Sequence, residues 1–400
     1  MFVRLHILNV GTLPPHWGGS ALANAELVTG LHGLGHRMSV ISPLSPPLDA
    51  REFISPSWAC EGVQVERIVL DYQSPSLPPS EQYRMVKGRK VEEAFRRAME
   101  RSRPDIVMMG RESFAWYVPD LCQRWGLPSL LIACGTPTSG FLEGIYPEPV
   151  RRQLIRQYRK ADLIVTVSQH LEAIIRSFDI RTVTTIPNAV NLNLFTPEPK
   201  DPKLLEELAI GPDHVVIGHI SQLNARKRPL DIVHAAKLVL KVHSKLVYLI
   251  VGEGPCRKAM EQICRDHGVA ANFRFTGRVD YRAVPRYINL SDAVVMPSEQ
   301  EGLARTYLET QACAKVLIAS DIPPAREVIR DRTTGLLFEK GRIEDLAAKM
   351  LLATRSPYLR QRLGRNARKA VEQYGLNDMV RAYSEALVRT VRSHASKREA

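Results

Sequence analysis

The sequence predicts an α/β protein made of two Rossmann-like, doubly wound domains, and three observations carry that prediction. Short apolar runs, of the kind buried parallel strands show, recur along the chain at 105–109, 129–133, 245–251 and 293–296. They alternate with longer stretches whose apolar residues recur at three-to-four spacing, as helices packed on a sheet require. The order seen in residues 2–133 is then repeated from 214 onward, so the second half follows the plan of the first. Four hundred residues are enough for two or three full-sized cores.

Composition narrows the class. Six cysteines (60, 122, 134, 256, 264 and 313) are scattered with no C-x-x-C pair, which reads as a reduced, cytoplasmic chain rather than a disulfide or zinc framework. The opening MFVRLHILNV is apolar but broken by Arg4 and His6, so it reads as a first strand, not a signal peptide. No later apolar run is long enough to span a bilayer. A formal charge of +13 suits nucleic acid, an anionic membrane or an anionic substrate alike. The charge is spread along the chain and no nucleic-acid module is present, so a basic surface around an anion-binding cleft is the expectation.

The elements follow in order. A strand at 2–10 leads into the loop GTLPPHWGG at 11–19, a helix at 20–34, and a strand at 37–42. Gly18 and Gly19 let backbone approach a ligand with no Cβ in the way. Residues 43–80 are proline-rich and irregular except for a strand at 63–70. A charged helix at 81–102, a strand at 104–109, a helix at 113–125 and a strand at 129–133 then precede the small-residue loop CGTPTSG at 134–140. The helix at 150–161 sets Val150, Leu154, Ile155, Tyr158 and Ala161 on one face and five basic residues elsewhere. Such a helix either lies on an anionic membrane or docks on the sheet with its charges in water. After a strand at 163–168 and the segment IPNAV at 186–190, the second half brings strands at 214–220, 245–251 and 272–276 and helices at 229–241, 255–267 and 281–290.

The stretch 293–314, AVVMPSEQEGLARTYLETQACA, is where the chain concentrates its chemistry. A buried strand at 293–296 is stopped by Pro297 and Ser298, Glu301 and Gly302 form a turn, and a helix starts near Ala304. Open α/β sheets place their ligands at such strand-to-helix turns, beyond the carboxyl ends of the strands. The first N–H groups of the helix, with its dipole behind them, favour a phosphate. Glu301 and Glu309 can both face that ligand. Two carboxylates beside a phosphate make electrostatic sense if they accept hydrogen bonds from hydroxyls, which a sugar nucleotide offers.

The pattern P-S-x-x-E-G with a second Glu eight residues after the first resembles the donor-sugar signature of retaining glycosyltransferase family 4, of GT-B fold. The resemblance implies two Rossmann-like domains facing across a cleft: 1–190 on the acceptor side, joined by a C-terminal crossover helix at about 376–400, and 191–375 binding a nucleotide sugar. It places Glu301 at the hexose, Glu309 at the ribose, and Gly302, Leu303 and Ala304 at the sugar and diphosphate. GHISQLNARKR at 218–228 resembles the family's loop that brings an Arg and a Lys to the diphosphate, which implies that role for Lys227. Gly252 and Gly254, in VGEGP, match a Gly-x-Gly-Pro beside the nucleotide, and Val279, in GRV at 277–279, the point that touches the base. Gly18 and Gly19 match the glycine loop that closes over diphosphate and acceptor, which also puts His16 on the acceptor side. The segments 321–327 and 334–337 match the family's C-terminal half, and IPNAV its interdomain linker.

The chain departs from the family in three places. The Arg that normally follows the Gly of the diphosphate loop is His219 here, leaving Arg226 or Arg228 to supply the charge. Histidines expected after the strand at 105–109 and just before Gly135 are replaced by Gly110-Arg111-Glu112 and by Cys134. Arg111, Glu112, Cys134 and Thr136 are then the acceptor-side candidates. No two Asp residues are separated by a single residue, so the D-x-D that holds a divalent cation in the other major transferase fold is missing. The expectation is a metal-independent, cofactor-free hexosyltransferase retaining anomeric configuration. Its catalytic residues would be Glu301, Lys227 and Arg226, its donor a UDP-, GDP- or ADP-sugar, and its acceptor a hydroxyl of a glycolipid, polysaccharide or small glycoside. It would be cytoplasmic, with the inner face of the membrane within reach through 150–161. Three rivals stand beside it: a sugar-nucleotide epimerase of the same fold, a catalytically inactive nucleotide-sugar-binding protein, and a retaining glycosidase, which also uses paired carboxylates but has no need of a phosphate site.

Overall fold

The computed structural model describes residues 3–14, 18–44, 59–69, 79–140 and 147–399. The chain forms two compact units, Met1–Asn188 with Asn377–Ala400, and Ala189–Leu376.

The first unit holds a seven-stranded sheet. Its strands are β1 (His6–Val10), β2 (Arg37–Leu44), β3 (Gln64–Val69), β4 (Ile106–Met109), β5 (Ser129–Ala133), β6 (Leu163–Thr166) and β7 (Val183–Thr185). They lie in the order β3-β2-β1-β4-β5-β6-β7, and every pair is parallel. The strands β4 and β5 are buried at every position, which explains their unbroken apolar runs. The C-terminal helix Leu376–Glu399 packs on this unit through Ser384, whose Oγ lies 2.8 Å from Nε2 of His36, and His394, whose Nδ1 lies 3.0 Å from Asp162.

The second unit holds a six-stranded sheet of β8 (Val215–Ile220), β9 (Leu246–Val251), β10 (Phe273–Gly277), β11 (Ala293–Met296), β12 (Val316–Ser320) and β13 (Leu336–Phe338). The order is β10-β9-β8-β11-β12-β13, again all parallel. Its core joins Ile217, Tyr248, Ile250 and Val295 of the sheet to Ile232, Val233 and Ala236 of the helix Pro229–Leu240. Each sheet therefore has one place where the strand order reverses, between β1 and β4 and between β8 and β11. Ligands of open parallel sheets bind at that reversal, outside the carboxyl ends of the strands.

Several boundaries differ from the sequence expectation. The first strand begins at His6. The helix expected at 113–125 starts only at Val118, after a 3-10 turn Glu112–Phe114, because Pro119 has no N–H to give and suits only a first turn. The helices Gln169–Arg176, Ile343–Arg355 and Pro357–Val371 and the strand β7 were not anticipated. Pro357 in its first turn and Ser356, whose side chain accepts from the Leu359 N–H at 3.1 Å, start the last of those helices and were readable signals. The basic helix is Glu148–Tyr158, and its apolar residues Leu154 and Tyr158 are buried inside the first unit. Among the described residues, no helix is long and apolar enough to cross a membrane.

Candidate functional site

The reversal in the second sheet sets two loops side by side, 221–228 after β8 and 297–304 after β11. Asn224 caps the 3-10 turn Ala225–Lys227 by accepting from the Lys227 N–H at 3.2 Å. The Glu299 N–H donates to the Arg226 carbonyl at 2.8 Å and ties the loops together. Arg226 and Lys227 are thereby aimed at Glu301. The Lys227 ammonium donates to Oε1 at 2.5 Å, and the Arg226 guanidinium donates to Oε2 at 3.0 Å and to the Gln300 carbonyl at 2.8 Å.

Glu301 is only 6% exposed. Burial pushes its pKa up, but the charges of Lys227 and Arg226 outweigh this and hold the carboxyl below its ordinary value, so it is a carboxylate. Burial lowers the Lys227 pKa, with the Glu301 charge opposing the fall. The cluster thus carries two cations and one anion, a net positive charge at the end of the sheet. Arg228, the other candidate for the missing arginine's place, is used elsewhere: it bonds to Asp231 and Glu299, both at 2.8 Å. Lys340 reaches the same Glu299 at 2.7 Å.

His219 sits under this cluster and is fully buried. Its Nδ1 is 2.8 Å from the Val295 carbonyl, which can only accept, so Nδ1 carries the hydrogen. Its Nε2 is then an acceptor, 2.7 Å from the Ser221 hydroxyl. Burial pushes the imidazole pKa down to about 4, with the Lys227 charge adding to the fall, and the ring is neutral. His219 therefore supplies no charge to the site; it ties the ends of β8 and β11 and orients Ser221.

Gly252 and Gly254 have φ of 136° and 156°. A Cβ at Gly252 would lie 1.9 Å from the Ser221 carbonyl oxygen, and one at Gly254 2.5 Å from that of Leu223. The Leu223 N–H donates to the Glu253 carbonyl at 2.9 Å, so the loop after β9 is laid directly on the loop that carries Arg226 and Lys227. In this structure these glycines position the cationic loop. Val279 is half-buried in the loop that follows β10.

Gly302, Leu303 and Ala304 are buried and lead into the helix Arg305–Ala312. Its N-cap Ala304 has no side-chain oxygen, and its first turn contains no acidic residue. The positive end of this helix is therefore not neutralised by an acid of its own first turn, as a site for an incoming anion requires. Glu309 lies further along the helix, 5% exposed. The Tyr281 hydroxyl donates to it at 3.2 Å, while Arg305 donates to the Tyr281 oxygen at 2.5 Å and lies 3.5 Å from the carboxylate. Glu301 and Glu309 thus belong to two clusters with different partners. Tyr281 and Arg305 escaped the sequence reading, although Arg305 and Glu309 stand at the i, i+4 spacing that pairs charges on a helix.

In the first unit, Gly18 precedes the helix Gly19–Gly33 at the reversal of that sheet, and His16 lies outside the described residues. Glu112 is buried: it accepts from the Gly135 N–H at 2.8 Å and the Thr138 hydroxyl at 3.3 Å, bracing the loop after β5. Arg111 is half-buried in extended backbone just before it. The Cys134 thiol lines a recess with Ser20, Asn24, Gly110, Asn188 and Tyr383. Burial and the nearby Glu112 push its pKa up, so it is a neutral thiol. Thr136 begins the short helix Thr136–Ser139. The structure brings Arg226, Lys227 and Glu301 into contact, and Glu112 and Cys134 around one loop.

Two doubly wound parallel sheets, one with a cationic cluster and an uncapped helix start at its strand reversal, define the GT-B class of α/β proteins. Residues 200–370 match the family described as Glycosyl transferases group 1, and residues 17–194 match Glycosyltransferase Family 4. The chain belongs to the group 1 glycosyltransferases. It is 27% identical over 263 residues to the D-inositol 3-phosphate glycosyltransferase of Actinosynnema mirum, a match covering 61% of this chain and 63% of that protein. The chain thus spans somewhat under two thirds of that relative's length. Among solved structures, the sucrose-phosphate synthase of Thermosynechococcus elongatus superposes with a TM-score of 0.81 at 18% identity, covering 98% of this chain and all of that one. HepE of Anabaena, solved with UDP and glucose, superposes with a TM-score of 0.79 at 17% identity, covering 96% of this chain and all of that one. At such identities these likenesses speak for the fold.

Proposed function

We propose that the chain transfers a hexose from a nucleoside diphosphate sugar to an acceptor hydroxyl, retaining the anomeric configuration and needing no metal ion. The observation that carries this reading is the cluster of Arg226 and Lys227 on the buried Glu301, beside a helix start with no acid in its first turn. Two cations and the helix dipole suit a diphosphate, and they can stabilise it as it leaves, which is the electrostatic task a metal performs in other transferases. Once the phosphates occupy the cations, the Glu301 carboxylate is a strong acceptor for hydroxyls of the sugar. Glu309 takes the ribose hydroxyls. The acceptor hydroxyl attacks from the face the diphosphate leaves, and the departing phosphate receives its proton. Uridine diphosphate sugars head the list of donors, since HepE was solved with UDP and glucose. Any membrane contact would run through the outward arginines of the helix Glu148–Tyr158, since Leu154 and Tyr158 of its apolar face are already buried.

The test is a thermal-shift screen against UDP, GDP, ADP and their sugar conjugates with EDTA present. A donor bound at micromolar Kd and present at millimolar concentration raises the melting temperature clearly. One nucleotide family should respond, and its sugar conjugate should then be consumed when acceptors are added. No response across the panel removes the proposal, and a response that EDTA abolishes removes the metal-independent part of it.

A further inference from the structure

Tyr307 occupies a position that the helical spacing marks as core, and its side chain is wholly buried. Its hydroxyl is nevertheless buried without a hydrogen-bond partner among the described residues. A buried, unpaired hydroxyl is a cost that phenylalanine would avoid at the same volume. The group is also close to chemistry: Tyr307 lies in the first turn of the helix that follows the Glu301 loop, and the charges of Glu301 and Arg226 act on it. Burial and the Glu301 carboxylate keep the phenol protonated, so it can donate.

The cluster whose charges act on it has a problem of its own. A diphosphate needs Arg226 and Lys227, and Glu301 holds both of them. When the phosphates draw the cations away, a carboxylate that is 6% exposed loses both charges that balance it and is left with the hydroxyl of Ser298. Sugar hydroxyls can satisfy one of its oxygens. A second donor, buried on the protein side, would satisfy the other and keep the carboxylate from following the cations.

We propose that Tyr307 is a positioning residue whose hydroxyl donates to Glu301 when a nucleoside diphosphate draws Arg226 and Lys227 off the carboxylate. The hydroxyl is held in reserve for the bound state, and its cost is borne in the resting protein. This inference rests on the nucleotide-sugar reading of the site.

The experiment is Tyr307→Phe, with UDP, GDP, ADP and the matching monophosphates titrated calorimetrically into both proteins. The variant should melt at the same temperature as the wild type or higher, since it loses only an unpaired hydroxyl. Its affinity for the preferred diphosphate should fall about tenfold, as for one hydrogen bond to a charged group, while the monophosphate changes less than about twofold. In the Glu301→Gln background, Tyr307→Phe should cause no further loss of diphosphate affinity, because the charge it serves is gone. A lower melting temperature would mean that the hydroxyl has a partner in the resting protein, and the inference fails. Equal diphosphate affinity in wild type and variant overturns it too, leaving the nucleotide-sugar reading standing. If the wild type binds none of the three diphosphates, both fall together.

Discussion

The ammonium of Lys227 lies 2.5 Å from Oε1 of Glu301, and both side chains are largely buried, at 13% and 6% exposure. A pair of this kind is worth little as a stabiliser compared with a well-packed apolar pair, but breaking it is costly because one charge is stranded. Lys227→Met leaves the carboxylate with Arg226 as a remaining cation, so it should destabilise the protein by about 1.5–3 kcal/mol, measured by urea denaturation, and lower turnover by roughly a hundredfold through the lost phosphate contact. The double variant Lys227→Met/Glu301→Gln should recover much of the stability and none of the activity. A double variant no more stable than the single one would show that the charge is not what is stranded.

The pH dependence follows from the same carboxylate. The folded pKa of Glu301 is held below its ordinary value of 4.5, so the unfolded state takes up its proton first as pH falls. Its contribution is complete above about pH 4.5 and is lost as pH drops through the folded value. His219 adds a second slope. Its folded pKa of about 4 lies below the ordinary 6.5, so stability is lost as pH falls from 6.5 towards 4 and then levels off. The total is on the order of 3 kcal/mol for a fully buried ring. The difference in unfolding free energy between wild type and His219→Asn, measured from pH 7.5 to 4, should therefore narrow across that window. A constant difference would contradict a neutral, buried imidazole.

The sequence made the sheets and one half of the site legible, for physical reasons. Parallel strands buried on both faces write themselves as apolar runs, and β8, β9, β10 and β11 begin within one residue of the expected positions. The residues of the Glu301 loop could be read because a strand, a proline stop and a helix start are all local signals. What could not be read was side-chain partnership over distance. Nothing local says that His219 would be neutral beneath Ser221, that Glu112 would brace Gly135 from 23 residues away, or that Tyr281 would reach Glu309 from 28 residues away. The role of Gly252 and Gly254 was hidden for the same reason, since the atoms they make room for belong to another loop.

That role gives a prediction. Gly252→Ala would place a Cβ 1.9 Å from the Ser221 carbonyl oxygen at a φ of 136°, where both the clash and the backbone conformation oppose it. The substitution should cost at least about 3 kcal/mol, and it should weaken diphosphate binding because the loop bearing Arg226 and Lys227 must move. Gly268→Ala, with open space around the Cβ, is the control: it shares a positive φ of 69° and should cost about 1–2 kcal/mol while leaving nucleotide affinity unchanged. Equal effects of the two on nucleotide binding would dissociate the glycine loop from the site.

Glu309 offers the sharpest separation of a binding role from a structural one. It is the partner of Arg305 and Tyr281 within its own cluster, so a plain deletion would destabilise the fold as well as remove a ligand contact. Glu309→Gln keeps the volume and one carbonyl oxygen for Tyr281. If the carboxylate accepts from the ribose, this variant should lose about 1.5–3 kcal/mol of nucleotide affinity, because a hydrogen bond to a charged acceptor becomes one to a neutral amide. Tyr281→Phe leaves the carboxylate charge in place and should cost affinity only through the orientation of Glu309, by no more than about 1 kcal/mol. Calorimetric titration of the preferred nucleoside diphosphate against the three proteins ranks these effects, and its 2′-deoxy analogue shows their source. A Glu309→Gln variant that loses stability but binds nucleotide as the wild type does would leave the carboxylate as a structural partner of Arg305 and Tyr281, and the ribose would have to be held elsewhere.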